Sequence, residues 1–339
     1  MADTAAPAPV RGSWRRLAIG LFAFILAWQV PHLRAILPIE QTAMLLVPIV
    51  AVCAVLAWRQ GGRVWIAVAG IALSALLLSQ SVGPPDSPYG WLARGWTMLL
   101  AASFGLVCLF APAEAFFPRA LSALAVAMAL GFALLLVTPG GAVRVGNMVA
   151  SELNRRNDES LARNRDARNQ PSVKEAFESS PRLRWLSEET ERQIAGIPKW
   201  SSVLVPALLA IESLIAMALA WSLFQRVSPV QIGPPLGSFR EFRFNDQLVW
   251  GVAVGASIYL LPAFSEGRNA GLNILVFFGA LYALRGAGIM TWMTRGRTMT
   301  AIVVLMILIA PPLVAALAFG LGLGDTWLDW RTRMPARQA

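Results

Sequence analysis

Histidine is almost missing from this chain: His32 is the only one, beside two cysteines, Cys53 and Cys108, and two lysines, Lys174 and Lys199. A single histidine excludes a histidine-based metal centre and a HExxH protease. The two cysteines lie within apolar runs without CxxC spacing, so neither a disulfide framework nor a thiolate zinc site is expected, and the metal expectation is none. Walker A and GxSxG patterns are also missing, so ATP coupling would have to come from another subunit. No enzymatic motif is evident and no cofactor is implied. Charge is scarce as well: 14% of residues are Asp, Glu, Lys or Arg, against roughly a quarter in soluble domains.

What the sequence has in abundance is apolar length. It is 56% hydrophobic over 339 residues, with mean hydropathy +0.57. Runs of about 18 or more apolar residues, enough to cross a bilayer, recur along it. The expected fold class is all-α, a polytopic transmembrane helical bundle of about 8–9 spans. The stretch after MADTAAPAPVRGSWRR carries no small-residue cleavage site and reads as a retained first span. The net charge of +10 is read as arginine anchors at anionic headgroups. No basic patch interleaves with aromatics, so nucleic acid is not an expected partner.

The expected spans are 17–37 (interrupted at Pro31), 40–58, 64–80, 91–111, 120–137, 202–222, 247–263, 271–293 and 299–320. Tryptophans such as Trp58, Trp65, Trp91, Trp200 and Trp250 fall near run ends, where indole prefers the headgroup level. Arginines in short loops, among them Arg15, Arg16, Arg59, Arg63, Arg119, Arg226, Arg240 and Arg243, outnumber those on the opposite side. That bias places the N-terminus on the cytoplasmic side of the membrane. The expected organisation is a cytoplasmic tail 1–16, a first transmembrane group 17–137, an insert 138–201, a second transmembrane group 202–320, and a polar tail 321–339.

The insert differs in composition. Residues 142–199 hold nine of the nineteen acidic residues. Val145, Met148, Val149 and Leu153 recur at helical spacing, as do Leu183, Leu186, Ile194 and Ile197. The expectation is a charged, amphipathic extramembrane segment. One helix continues past the fifth span, a mobile middle follows between Pro171 and Pro181, and a second helix leads into the sixth. Two readings stand for it, a solvated spacer or a lid and partner-docking hairpin.

Within the apolar runs two ionisable residues stand out, Glu212 in "LVPALLAIESLIAMALAW" and Arg285 in "FGALYALRGAGIM". Counting 1.5 Å per residue puts both near mid-membrane at similar depth. A lone charge there costs at least about 2.5–3.5 kcal/mol, so the two are expected to pair, and three readings stand: a structural tie, a pair or single charge lining a polar substrate cavity, or Glu212 as a proton-coupling carboxylate. Gly286 and Gly288 beside Arg285 favour close helix approach. Asn269, Asn273, Glu266 and Arg268 form a candidate polar mouth at the other end of the same span. "GLGD" at 322–325 matches the GxGD pattern of intramembrane aspartyl proteases. That chemistry needs two carboxylates sharing one site, and no second Asp lies inside a span, so a chance match is the reading.

Three segments of the second half, "VPALLAIESLIAMALAWSLFQRV", "PLGSFREFRFNDQLVWGVAVG" and "GLNILVFFGALYALRGAGIMTWM", resemble the YybS-like predicted membrane proteins (domain of unknown function 2232) over about residues 200–320. The matching features are a Pro-led span, an F-x-x-F loop (Phe239, Phe242, Phe244) before a Trp-bearing span, and an Asn-Ile-Leu opening to the next. The resemblance implies distant similarity to the S components of energy-coupling-factor transporters, which hold a small molecule in a helical bundle. It therefore implies a small-solute-binding, transport-related membrane component, with Phe239, Phe242 and Phe244 facing another membrane subunit. The alternative is a non-transporting scaffold or assembly factor whose 142–199 insert docks a partner. The expected partners are the lipid bilayer, other membrane subunits and a small-molecule solute.

Overall fold

The computed structural model describes residues 13–80, 87–170, 179–293 and 310–333. The tails at 1–12 and 334–339, the first half of the GPPDSPYG turn, the expected mobile middle at 171–178 and the first part of the ninth run lie outside the described residues. The chain divides into two compact units, Met1–Leu236 and Gly237–Ala339. Among the described residues five helices are long and apolar enough to cross a membrane: Thr42–Arg59, Pro88–Phe110, Phe116–Val137, Trp200–Val227 and Pro262–Met293. These correspond to the expected runs at 40–58, 91–111, 120–137, 202–222 and 271–293.

Three of the other runs give shorter helices. The first breaks into α1 (Trp14–Ile25), a 3₁₀ turn at Ala27–Gln29 and α2 (Pro31–Ile36). Pro31 explains the break: it has no N–H for a continuing ladder, yet it suits the first turn of a new helix. The third run forms α4 (Val64–Ser79), 16 residues. The seventh is cut to the 12 residues of Val249–Leu260 by Pro262, which opens a 3₁₀ turn. Twelve residues span roughly 18 Å, well short of the hydrocarbon thickness of about 30 Å.

In the first unit, α3 (Thr42–Arg59) is the central element. It is flanked by α4, by α5 (Pro88–Phe110) and by the last helix of the unit. Met44, Leu45, Ile49 and Cys53 on α3 are all fully buried. α6 (Phe116–Val137) follows α5 as a hairpin. The expected continuous helix past the fifth run does not form. α6 ends at Val137, and the turn uses Gly140 at φ +65°, a conformation that side chains other than glycine rarely adopt. The charged helix α7 (Gly141–Arg168) then packs against α2, α5 and the long helix α8 (Pro181–Val227). The expected helix leading into the sixth run is there, since α8 runs unbroken for 47 residues through Pro198 and Pro206.

The second unit is a hairpin, α9 (Val249–Leu260) with α10 (Arg268–Met293), to which α11 (Pro311–Leu328) adds. Glycines set how closely these helices approach. A Cβ on Gly286 would lie 1.7 Å from the Ala318 carbonyl oxygen, and one on Gly322 would lie 1.9 Å from that of Tyr282. The two backbones therefore touch directly, as small residues permit in helix packing within membranes. Gly288 serves a different contact: its missing side chain admits the Phe239 carbonyl of the loop before α9.

Candidate functional site

The first unit concentrates its buried polar groups around a short extended segment, Leu37–Glu40, between α2 and α3. Three helices reach it. From α8, Glu212 accepts the Ile39 N–H at 3.0 Å through Oε2. From α7, Arg156 donates through Nη1 to the Leu37 carbonyl at 2.9 Å. From α5, the Tyr89 hydroxyl donates to the Pro38 carbonyl. The Arg156 guanidinium also lies over the Tyr89 ring, 5.0 Å from its centroid. The backbone groups of the segment, which have no helix or sheet to satisfy them, are thus taken by side chains.

A chain of ion pairs surrounds this clamp. Arg34 bonds Glu40 at 2.6 Å and Glu159 at 2.9 Å. Arg156 bonds Glu152 at 2.8 Å, with Glu40 at 3.5 Å. Arg155 pairs with both Glu152 and Glu159. Burial pushes the Glu152 carboxyl up, but the bonds from Arg155 and Arg156 outweigh it and hold the group below its ordinary value. Arg156 is fully buried, and Glu152, Asn157 and Ser160 are nearly so. Four polar atoms in this cluster are buried without a hydrogen-bond partner: Glu212 Oε1, Arg156 Nη2, Arg34 Nη1 and Asn157 Oδ1. Beside Glu212, Ser213 accepts from the Trp96 indole at 3.0 Å.

Arg285 has a separate setting in the second unit. Its Nε donates to Asp325 at 2.9 Å and its Nη1 to Asp246 at 2.6 Å. Asp325 also accepts from Arg331 at 3.0 Å. The Phe244 ring lies 5.4 Å from the Arg285 guanidinium and packs edge-on against Tyr282.

Glu212 and Arg285, expected as a pair, fall in different units, and each finds its partners within its own. Arg285 meets Asp246, just before the short helix α9, and Asp325 of α11. The aspartate of "GLGD" is built into this cluster, with an arginine between the two carboxylates rather than the carboxylates against each other. The partner-facing loop is also corrected in part. Phe244 is buried in its own unit, whereas Phe239 is 44% exposed. The candidate mouth is a solvated helix start: Glu266, Arg268 and Asn269 are exposed, Asn273 donates to the Asn269 carbonyl at 2.8 Å, and Arg268 stacks over Tyr259.

Arg119, counted from sequence among the headgroup anchors, is fully buried. It caps the end of α5 by donating to the carbonyls of Ala111, Pro112 and Glu114, and it lies over the Trp221 ring. Arg34, Glu40, Tyr89, Glu152 and Arg156 were not singled out from sequence. The available signal was positional. The spacing of Val145, Met148, Val149 and Leu153 continues through Glu152, Arg156, Asn157 and Ser160, so one inward stripe of α7 changes from apolar to polar along its length.

No curated protein and no solved structure matches the chain. Membrane character rests on the five apolar helices and on a family match over the part of the chain where the resemblance was read: residues 169–326 match the family described as "Predicted membrane protein (DUF2232)".

Proposed function

We propose that the protein is a solute-binding component of a bacterial cytoplasmic membrane, and that the solute is a small polar molecule held against the Leu37–Glu40 segment by Glu212, Arg156 and Asn157. The observation carrying this reading is a pair of unpartnered atoms on two buried side chains that both bond the Leu37–Ile39 backbone: a carboxyl oxygen on Glu212, which is 3% exposed, and a guanidinium nitrogen on Arg156, which is 0% exposed. Buried polar atoms in folded chains are almost always paired, and a cluster of exceptions calls for a partner such as a water, an ion or a ligand. A molecule carrying both a donor and an acceptor, such as a zwitterion, satisfies both. The acceptor on Glu212 selects the donor end of the solute and Arg156 the acceptor end.

The test is a thermal-shift screen of the detergent-purified chain against small zwitterions and polar amides. Solutes that raise the midpoint of the wild type are expected to lose that effect in Glu212→Gln, which still accepts from Ile39 but puts an N–H donor where the second carboxyl oxygen accepted. If the same solutes stabilise Glu212→Gln equally, the reading fails.

A second reading, a scaffold that docks a partner through the 142–199 region, is favoured by Trp185, 58% exposed near the start of α8. Trp185→Ala would then reduce capture of a partner while leaving the thermal-shift response to solutes unchanged.

A further inference from the structure

α4 and α5 flank α3 on either side, and the space between them is an open groove of about 870 Å³. Its floor is the α3 row Pro48, Ala51, Val52 and Val55, and its walls carry Ile71, Leu78, Met98, Leu106 and Leu109. Two glycines draw the walls onto the floor. Gly70 lies against the Ala51 backbone, and a Cβ on Gly105 would lie 2.5 Å from Val52 Cγ1. Apart from Arg59 the lining is apolar or internally satisfied: Ser74 bonds the Gly70 carbonyl and Ser79 that of Leu76. From Pro48 to Arg59 the groove runs roughly 16 Å at 1.5 Å per residue, close to the half-thickness of about 15 Å that one leaflet's acyl chains occupy.

The end of the groove is chemically marked. Arg59 lines it, in the last turn of α3, and Arg63 follows across a tight turn where Gly61 takes φ +92°. Trp58 and Trp65 bracket this turn and are 49% and 58% exposed, the placement of indoles at headgroup level. No acidic residue occurs between Glu40 and Asp86, and among the described residues no ion pair involves Arg59 or Arg63. We propose that the groove is a binding site for an anionic phospholipid, with one acyl chain along α3 and the headgroup phosphate between Arg59 and Arg63. Basic positions at the cytoplasmic end of a gap between membrane helices are the arrangement that holds anionic headgroups. This proposal is independent of the solute site.

The experiment is native mass spectrometry of the full chain from nanodiscs containing equal amounts of phosphatidylglycerol and phosphatidylcholine with the same acyl chains. Each arginine near the surface favours an anionic lipid by about fivefold, so two predict a preference of roughly 25-fold. Arg59→Gln with Arg63→Gln is expected to bring the ratio to about 1 while total bound lipid falls less. Ala102→Trp or Ala75→Trp, each filling the groove from an exposed wall position, is expected to reduce retention of both lipids. Equal retention by the wild type, or a preference that survives the double glutamine variant, overturns the proposal. A dimer that Ala102→Trp dissolves while lipid retention stays unchanged would assign the groove to a second copy of the chain and overturn it too.

Discussion

Arg285 holds two carboxylates, and the shorter bond is not expected to be the more stabilising one. Asp246 lies 2.6 Å away but is 59% exposed, whereas Asp325 lies 2.9 Å away with a side chain that is 0% exposed. For an exposed partner, solvent screening reduces the interaction to about 0–1 kcal/mol. For a buried pair, removing one member strands the other without water, which costs about 3–5 kcal/mol. Asp325 also serves Arg331, itself nearly buried, so its loss leaves two guanidinium groups short of a partner. The same chemical change at both positions isolates burial. Asp325→Asn is expected to destabilise the chain by about 3 kcal/mol or more, and Asp246→Asn by less than about 1 kcal/mol. The assay is equilibrium unfolding of the detergent-solubilised protein followed by tryptophan fluorescence. Adding Arg285→Met to each variant completes a double-mutant cycle. A coupling energy for Arg285–Asp246 equal to or larger than that for Arg285–Asp325 would refute the reasoning, because distance rather than desolvation would then rank the pairs.

Two further outcomes follow from single contacts. Gly286→Ala should destabilise at or above the upper end of the roughly 1–3 kcal/mol range for overpacking, since the new methyl meets the Ala318 backbone, which has no rotamer to yield. Gly279→Ala on the same helix has open space around it and should be neutral or stabilising by about 0.5–1 kcal/mol; unfolding midpoints of the two variants check the contrast. Glu152 gives a pH dependence. Its folded value is held below the ordinary 4.5, so its contribution is fully present above 4.5 and is lost as the pH falls through the lower folded value. Unfolding midpoints should fall with acidification below about 4.5 in the wild type and fall less steeply in Glu152→Gln, and parallel profiles would show that Glu152 carries none of the loss.

The helical membrane character was legible because it is an additive property. Runs such as 91–111 and 120–137 need no partner to be recognised, and length alone against bilayer thickness identifies them. The short helices were not legible for the same reason. Hydropathy counts residues 17–37 as one run, but the backbone obeys Pro31, and it counts 247–263 as another although Pro262 stops the helix. Arg119 shows a related limit. Sequence places an arginine beside a span end and reads a headgroup anchor, while the fold turns its Nη2 onto the carbonyls of Ala111, Pro112 and Glu114 at the end of α5, a service that depends on where a loop returns.

The candidate site was half legible, and the half that was missed has one physical cause. Glu212 stood out because its neighbours are apolar. Arg156 and Glu152 did not, because theirs are charged, and in a charged stretch polarity no longer distinguishes a buried face from a wet one. What does distinguish it is the period. Positions 145, 148–149, 152–153, 156–157 and 160 repeat every three to four residues whether they carry valine or arginine, which is the spacing of one helix face. The pairing expectation has a complementary limit. It assumed that Glu212 and Arg285 must neutralise each other because both lie in apolar runs, yet a carboxylate can be held by a backbone N–H of an irregular segment, as Ile39 holds Glu212, and an arginine by one carboxylate before a helix and one on a neighbouring helix, as Asp246 and Asp325 hold Arg285. Non-helical backbone is tolerated where protein surrounds it, and the Leu37–Glu40 segment is held by side chains from three helices. The partner that an intramembrane charge requires is therefore to be sought first among breaks in the helices, and only then among charges on other spans.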